Sequence, residues 1–474
     1  MSGRKVISAA VETATVAGLT HTGEGIIRGT HTGEGIVRST HTGEGIVRGS
    51  GKAIFVAGAL PGESITFRRT RSHRQHDEAE LVEVLTPAPQ RVTPRCAHFG
   101  VCGGCALQHL STEAQLEARN QELRDNLERL GKVTPRRWLE PLRGPVWEYR
   151  RRARLGAKFV TKKGKVLVGF RERLTPYIAD VQHCDVLAPP VGELVLPLAE
   201  LIMALSIRER VPQIEVAVAD NAVALVFRVL DPPSSDDLNR FREFAKTHRV
   251  RVYLQTGGLD TVRELDTPGE PLCYRLPKFK VELEFLPTDF IQINGAVNEA
   301  LVSRAFELLE LGPSSEVLDL FCGIGNFTLP MARSAARVVG VEGDAALVAR
   351  ARHNASRNEL QNAEFHVADL ARLPADVNAA AQSAPWLKKG YTHVVLDPPR
   401  AGAREVLASV ASLQPQRVLY ISCHPGSLAR DLGVLVNEHG FTLEAAGVLD
   451  MFPHTAHFES LALLAPGKRK GQAS

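Results

Sequence analysis

From about residue 290 onward, short apolar runs alternate with stretches where apolar residues recur every three or four positions. Runs at 317–321, 338–342, 364–368, 393–397, 418–422, 441–449 and 460–464 predict strands, and 295–311, 326–334, 344–358, 402–412 and 426–438 predict the helices between them. Strands and helices that alternate in this way build a doubly wound α/β sheet. The N-terminal part reads differently. Short β runs at 6–16, 53–56, 64–67 and 79–84, separated by Gly and Pro, suit a small barrel of the oligonucleotide-binding type. A helix is expected from Ser111 to Leu130, with Leu116, Leu123, Leu127 and Leu130 on one face and Gly131 closing it. Between about 145 and 290, strands (153–159, 214–218, 222–229, 251–255) mix with helices near 191–207 and 235–247. The expected division is 1–90 for the barrel, 91–289 for a central α+β domain and 290–474 for the α/β domain, in keeping with a chain too long for one core.

One repeat interrupts the barrel. His21 to Arg28, His31 to Arg38 and His41 to Arg48 are near-identical copies of His-Thr-Gly-Glu-Gly-Ile-(Ile/Val)-Arg. The His-Thr-Gly-Glu string is also found between zinc fingers, but no cysteine precedes Cys96, so a finger has no ligands. Ten residues is too short for a solenoid unit. The repeat is therefore expected to be a local duplication across 21–50, with one copy in the barrel and two bulging out as a Gly-rich extension.

Composition adds little except through its distribution. The net charge of +4 does not by itself imply nucleic acid. Two basic clusters do more: Arg68, Arg69, Arg71 and Arg74 precede Asp77, and Arg150, Arg151, Arg152, Arg154 and Lys158 follow Glu148 with no acid between. Such clusters supply phosphate contacts or are simply solvated faces. No apolar stretch reaches the length of a membrane span and the start lacks a signal core, so a cytoplasmic chain with no membrane partner is expected. Seven cysteines do not suggest a disulfide framework.

Three motifs carry chemistry. The turn from Asp319 to Thr328, with Gly323 and Gly325, follows the first α/β strand and opens a helix, where free N–H groups and a close backbone approach suit a nucleotide. Glu342 closes the second strand, placed for both ribose hydroxyls of an adenosine, and Asp369 after the third suits the adenine edge. These three points fit S-adenosylmethionine better than a nicotinamide. Asp397-Pro398-Pro399-Arg400 ends the fourth strand as a stiff platform beside a ring bearing imide and carbonyl groups. Cys423 sits at a strand exit before Pro425 and a helix start, which is expected to favour the thiolate. Uracil C5 is a poor nucleophile until a thiolate adds to C6, and a base must then remove the C5 proton; Cys423 and Glu459 are the candidates. Finally, Cys96, Cys102, Cys105 and the distant Cys184 have a spacing open to either an iron–sulfur cluster or a structural zinc.

With these residues in hand, the chain resembles the RNA uracil-C5 methyltransferase family over nearly its whole length. The stretch from Thr40 to Arg48, Gly51-Lys52, and Phe55 to Glu63 is similar to the TRAM domain, an RNA-binding barrel. The resemblance implies a Rossmann-like S-adenosylmethionine-dependent methyltransferase domain joined to a central α+β domain and an N-terminal OB-like barrel. It implies a [4Fe-4S] cluster on Cys96, Cys102, Cys105 and Cys184. It also implies contacts to S-adenosylmethionine or the active-site cleft from Gln292, Phe321, Asn326, Glu342, Asp369 and Asp397. Cys423 matches the nucleophile and Glu459 the general base. Barrel and cluster motifs together point to the branch acting on 23S ribosomal RNA, since the transfer-RNA branch is expected to resemble this chain only in its catalytic half; the chain is expected to act as a monomer that forms 5-methyluridine. The same chemistry on another ribosomal uridine or on transfer RNA, or a non-catalytic RNA-binding assembly factor, are the alternatives. Two departures stand out: His424 follows the nucleophile where the family usually has Asn, and the decamer is tripled.

Overall fold

The barrel closes through a strand that serves both of its edges. In the computed structural model, which describes residues 10–19, 24–27, 37–39, 45–47, 53–173, 175–377 and 384–467, the first strands are β1 (Glu12–Thr15), β2 (Gly18–Leu19), β3 (Glu24–Ile27), β4 (Val37–Ser39), β5 (Gly45–Val47), β6 (Ala53–Ala57), β7 (Ser64–Ser72) and β8 (His76–Thr86). Six of them form a sheet of order β1-β7-β8-β6-β3-β2. β1 and β2 are separated only by Val16 and Ala17, so one bent segment pairs with both outer strands and leaves no open edge. Val16, Ile54, Val56, Ile65 and Phe67 fill the interior.

The first decamer copy supplies β3, which pairs with β6, while the second and third supply β4 and β5, paired with each other from Val37↔Val47 to Ser39↔Gly45. One copy thus contributes to the six-stranded sheet, and the described strands of the other two form a separate two-stranded sheet. The TRAM-like stretch contains the third copy, yet it is the first that enters the barrel; near-identical sequences carry no information to choose between them. The rest of 21–50 lies outside the described residues.

The helix α1 (Thr112–Asn126) is capped by Ser111, whose hydroxyl accepts from Ala114 N, and runs into a π turn at Leu127–Gly131. It is closed by Lys132 in the left-handed region (φ 53°), not by Gly131. Gly131 is needed for a different reason: a Cβ there would come 2.5 Å from the Ala429 carbonyl oxygen, so this turn crosses a later helix at backbone contact. Next come β9 (Arg137–Trp138), β10 (Arg152–Val160), β11 (Lys165–Gly169), α2 (Val195–Ala204), β12 (Gln213–Val218), β13 (Val223–Arg228), α3 (Ser235–His248), β14 (Arg251–Gln255) and β15 (Arg263–Glu264). Of these, β11-β10-β12-β13-β14-β15 is a largely antiparallel sheet with one parallel pair, β13 and β14, bridged by α3. Leu155, Ile214, Val216, Phe227 and Phe241 form its core.

A hairpin, β16 (Leu272–Leu276) and β17 (Val281–Phe285), precedes the α/β unit: α4 (Gly295–Leu309), β18 (Glu316–Leu320), α5 (Thr328–Ala332), β19 (Arg337–Glu342), α6 (Ala345–Arg357), β20 (Ala363–Val367), β21 (His393–Leu396), α7 (Leu407–Leu413), β22 (Arg417–Ser422), α8 (Pro425–Asn437), β23 (Phe441–Leu449) and β24 (Glu459–Pro466). The sheet order is β20-β19-β18-β21-β22-β24-β23-β9. The first five strands are parallel; the inner four, β19, β18, β21 and β22, are buried on both faces and read as near-continuous apolar runs, while the edge strand β20 buries only Phe365. Strand order reverses between β18 and β21, and the crevice at such a point is where open α/β sheets take ligands.

Two elements cross the boundary drawn at 289/290. Strand β9 pairs with β23 (Arg137↔Ala445, Trp138↔Ala446), and Leu116, Leu123, Leu127 and Val133 share one core with Leu318, Val339, Tyr420 and Leu428. The segment from α1 to β9 thus packs as part of the catalytic sheet.

Candidate active site

The insertion of β24 between β22 and β23 brings the two expected catalytic residues together. β24 runs antiparallel to β22 with Ser422 opposite Ser460, so Cys423 and Glu459, each next to one of that last pair, lie at the same end of the two strands and within reach of each other's charge. On its other side Glu459 faces Leu449 of β23. Glu459 is buried, its Oε2 has no hydrogen-bond partner among the described residues, and burial together with Asp397 pushes its carboxyl up to about 8.

The half-buried Cys423 departs from expectation. Burial pushes its thiol up, and the charges of Glu459 and Asp397 push it further, outweighing the backbone contact and Arg400, which act the other way. The helix start therefore does not bring the thiol below its ordinary value. His424 caps α8, its Nδ1 accepting from Ser427 N at 3.1 Å, a job an Asn side chain performs equally well. Cys423 lines a small cavity with Glu122, Asn126, Arg400 and His457.

Carboxylates crowd the ends of the parallel strands. Asp319 is fully buried, accepts from Thr328 Oγ1 at 2.5 Å, and is pushed up to about 7 by burial and by the charges of Asp397 and Glu342. Burial likewise pushes Asp397 up to about 7. Glu342 accepts from Gly323 N (3.2 Å) through one oxygen and from Gly343 N (2.7 Å) and Asp344 N (3.1 Å) through the other, which fixes it against the glycine turn, where Phe321 has φ 66°. A cleft so rich in acid suits a cationic ligand such as a sulfonium.

Other expected contacts are less gathered. Gln292 lines a cavity of about 280 Å³ with Arg151, Asp220, Tyr274, Asn298 and Glu299, separate from the Cys423 cavity. Asn326 is engaged on both sides of its amide: Oδ1 accepts from Tyr274 Oη (3.0 Å) and Asn298 Nδ2 (2.9 Å), and Nδ2 donates to Asn298 Oδ1 (2.9 Å). Asp369 caps the short turn that follows it and pairs with Arg372 at 3.1 Å. Neither Tyr274 nor Asn298 was singled out from sequence, because an apolar-looking strand and a helix face hide a shared hydrogen-bond network.

Cys96, Cys102, Cys105 and Cys184 line one cavity, although Cys184 is far away in sequence. Burial pushes all four thiols up, Cys105 to about 12 and Cys184 to about 11. Among the described residues, the group of three or more potential metal donors lying within 4.8 Å of one another is His73, His76 and Glu78, so no three of these sulfurs are that close. Tetrahedral zinc with Zn–S of about 2.3 Å would hold its sulfurs roughly 3.8 Å apart. The basic clusters, by contrast, are largely spent internally: Arg68 pairs with Glu80, Arg69 with Glu12 and Asp77, Arg71 with Glu78, Arg151 with Asp220, and Arg152 and Arg154 with Glu215.

Residues 276–466 match the family described as tRNA (Uracil-5-)-methyltransferase. A 23S rRNA (uracil(1939)-C(5))-methyltransferase RlmD of Stenotrophomonas maltophilia is 51% identical over 413 residues, 87% of this chain and 91% of that protein. The protein of the same description from Nitrosococcus oceani is 50% identical over 463 residues, 97% of each. The chain belongs to the RlmD-type uracil-C5 methyltransferase family. Its fold is shared more widely: the Pyrococcus abyssi tRNA (uracil-54, C5)-methyltransferase, solved with S-adenosyl-L-homocysteine, superposes with a TM-score of 0.71 over 96% of this chain and 99% of its own, at 23% identity. That likeness corrects one expectation. A transfer-RNA enzyme matches far more than the catalytic half, so domain content does not separate the branches; it is identity across the chain that places this one with the RlmD-type proteins. Among the described residues, no helix is long and apolar enough to cross a membrane.

Proposed function

We propose that this chain methylates C5 of a uridine in 23S ribosomal RNA, at the position of type 1939 that its relatives are named for, through a covalent adduct on Cys423 resolved by Glu459. The β22–β24 pairing, which brings Cys423 and Glu459 to one end of the two strands and into each other's field, carries this reading. The Cys423 thiolate adds to C6, and the C5=C6 electrons move into an enolate. S-Adenosylmethionine supplies the methyl group that C5 takes, and its sulfonium charge suits the acidic cleft. Glu459 then removes the C5 proton, the double bond re-forms and the thiolate leaves. Arg400, at the Cys423 cavity, is placed to face a carbonyl of the ring. Gln292, Phe321, Asn326, Glu342, Asp369 and Asp397 are assigned to binding the cofactor, Asn326 through the orientation that Tyr274 and Asn298 impose on it. The target base must leave its stack to expose both ring faces, and the N-terminal barrel, read as a TRAM domain, is assigned to holding the RNA. A ribosomal RNA substrate makes the cytoplasm the place of action, with the chain working as a monomer.

Purified protein, labelled S-adenosylmethionine and unmodified RNA test the substrate. One 5-methyluridine in 23S rRNA and none in transfer RNA is the expected result; methylation of transfer RNA alone would move the assignment. No methylation of either, with RNA binding intact, would favour an assembly factor.

The four cysteines are assigned a [4Fe-4S] cluster. Their common cavity supports it: three closely spaced cysteines and one remote in sequence reach a single site. Cys184→Ser is expected to abolish iron binding and the visible absorption of the protein and to lower its melting temperature. Retained iron, or stoichiometric zinc in the wild type, would count against the assignment.

A further inference from the structure

The loop that delivers Glu459 to the start of β24 is held by one face of α1. Gln115 and Arg119, four residues apart and thus on one face, are both buried. Arg119 pairs with Asp450 and donates to the carbonyls of Phe452 (3.1 Å) and Thr455 (3.0 Å). Tyr149 Oη donates to the Pro453 carbonyl at 2.9 Å, and His454 stacks on Trp147 with ring centroids 4.0 Å apart.

Gln115 does something further: it joins this loop to the cysteine loop. Its Oε1 accepts from His454 N at 3.0 Å, while its Nε2 donates to the carbonyls of Leu107 (3.0 Å) and Leu110 (2.8 Å) and lies 3.3 Å from His454 Nδ1. In the same knot, the N–H groups of Ala106 and Leu107, directly after Cys105, both donate to the His454 carbonyl (2.8 and 2.9 Å). His454 itself is held at φ 66°, a left-handed conformation that a non-glycine residue keeps only where its surroundings impose it. A side chain whose polar atoms all serve two loops, and which holds His454 five residues before the proton acceptor Glu459, is built to fix where that acceptor stands.

We propose that Gln115 is a positioning residue for Glu459, a reading that rests on the roles proposed above for Glu459 and Cys423. Cys423 directly follows β22, and the hydrogen bonds of the Gln115 side chain go to Leu107, Leu110 and His454 instead. Without the bridge, addition at C6 and methyl transfer proceed, but removal of the C5 proton and departure of the thiolate slow down. The enzyme then accumulates as a covalent adduct with RNA that is already methylated.

The test uses the full chain with its metal centre, labelled S-adenosylmethionine and 23S rRNA, reading both turnover and denaturant-stable protein–RNA adduct. Gln115→Leu is expected to form adduct at the wild-type rate and hold it, with turnover down about 100-fold, the scale of an ångström-level misplacement. Gln115→Glu, which keeps the length and the acceptor for His454 N, is expected to fall between, and it carries the test by itself if the Leu variant does not fold. Wild-type turnover, or adduct formation and turnover falling together, would overturn the proposal. Glu459→Gln is the reference: if it traps adduct and the Gln115 variants do not, Gln115 has no positioning role and the base assignment stands. If Glu459→Gln turns over normally, the base assignment falls and takes this proposal with it.

Discussion

Cys423→Ala is expected to lower methylation by about four orders of magnitude or more, the scale on which loss of a covalent nucleophile acts, with RNA binding unchanged. Without a thiolate at C6, C5 of uracil carries too little electron density to attack a methyl group, and no neighbouring side chain replaces the sulfur. The substitution is mild for the fold. Cys423 is half-buried at the mouth of a cavity, and the capping of α8 rests on His424 and Ser427, not on the thiol. A melting temperature close to the wild type, together with loss of labelled methyl transfer, is the expected pair of observations. Residual methylation above a few per cent would mean that the chemistry does not pass through this sulfur.

Glu459→Gln is expected to stop turnover while making the protein more stable in alkali. The carboxyl is buried and titrates near 8 in the folded chain, against an ordinary value of 4.5. Between those two values the folded state holds a proton that the unfolded state has released, so stability falls as pH rises through that window and the full cost is present above about 8. At about 1.4 kcal/mol per unit the difference amounts to several kcal/mol. Gln carries no such cost, so the variant should melt close to the wild type at pH 4.5 and well above it at pH 8.5; parallel curves would contradict the burial argument. The same titration governs rate. Glu459 must be unprotonated to accept the C5 proton and Cys423 must be a thiolate to add, so kcat/KM of the wild type should climb from pH 6 to 9. That apparent midpoint belongs jointly to Glu459, Asp397 and Cys423, which sit within one another's fields. A flat profile would remove Glu459 from proton transfer.

The catalytic half was legible because its strands are apolar runs of the right length, and its chemistry sits where the runs end. Cys423 and the Asp397 platform could be placed from strand exits alone. Their pairing with Glu459 could not, since it depends on β24 entering between β22 and β23, an order that local patterns do not encode. The direction of the Cys423 shift was misjudged for a related reason: a helix start is local, whereas Glu459 and Asp397 arrive from other strands. α1 was found as a helix, yet its attachment was hidden, because Gln115, Arg119 and Asn126 turn polar side chains inward beside Leu116 and Leu123. Strand β9 is two residues long and has no pattern to read. The ion pairs of the arginine clusters were hidden as well, since their partners Glu215 and Asp220 lie some sixty residues downstream and Glu12 lies upstream.

The most direct measurement is mass mapping of the adduct formed with 23S rRNA carrying 5-fluorouridine. Fluorine at C5 leaves no proton for Glu459 to remove, so the reaction halts after methyl transfer. The account predicts one peptide, containing Cys423, linked to a nucleotide that bears both fluorine and a new methyl group. An adduct on another residue, or methyl incorporation with no adduct, would contradict it.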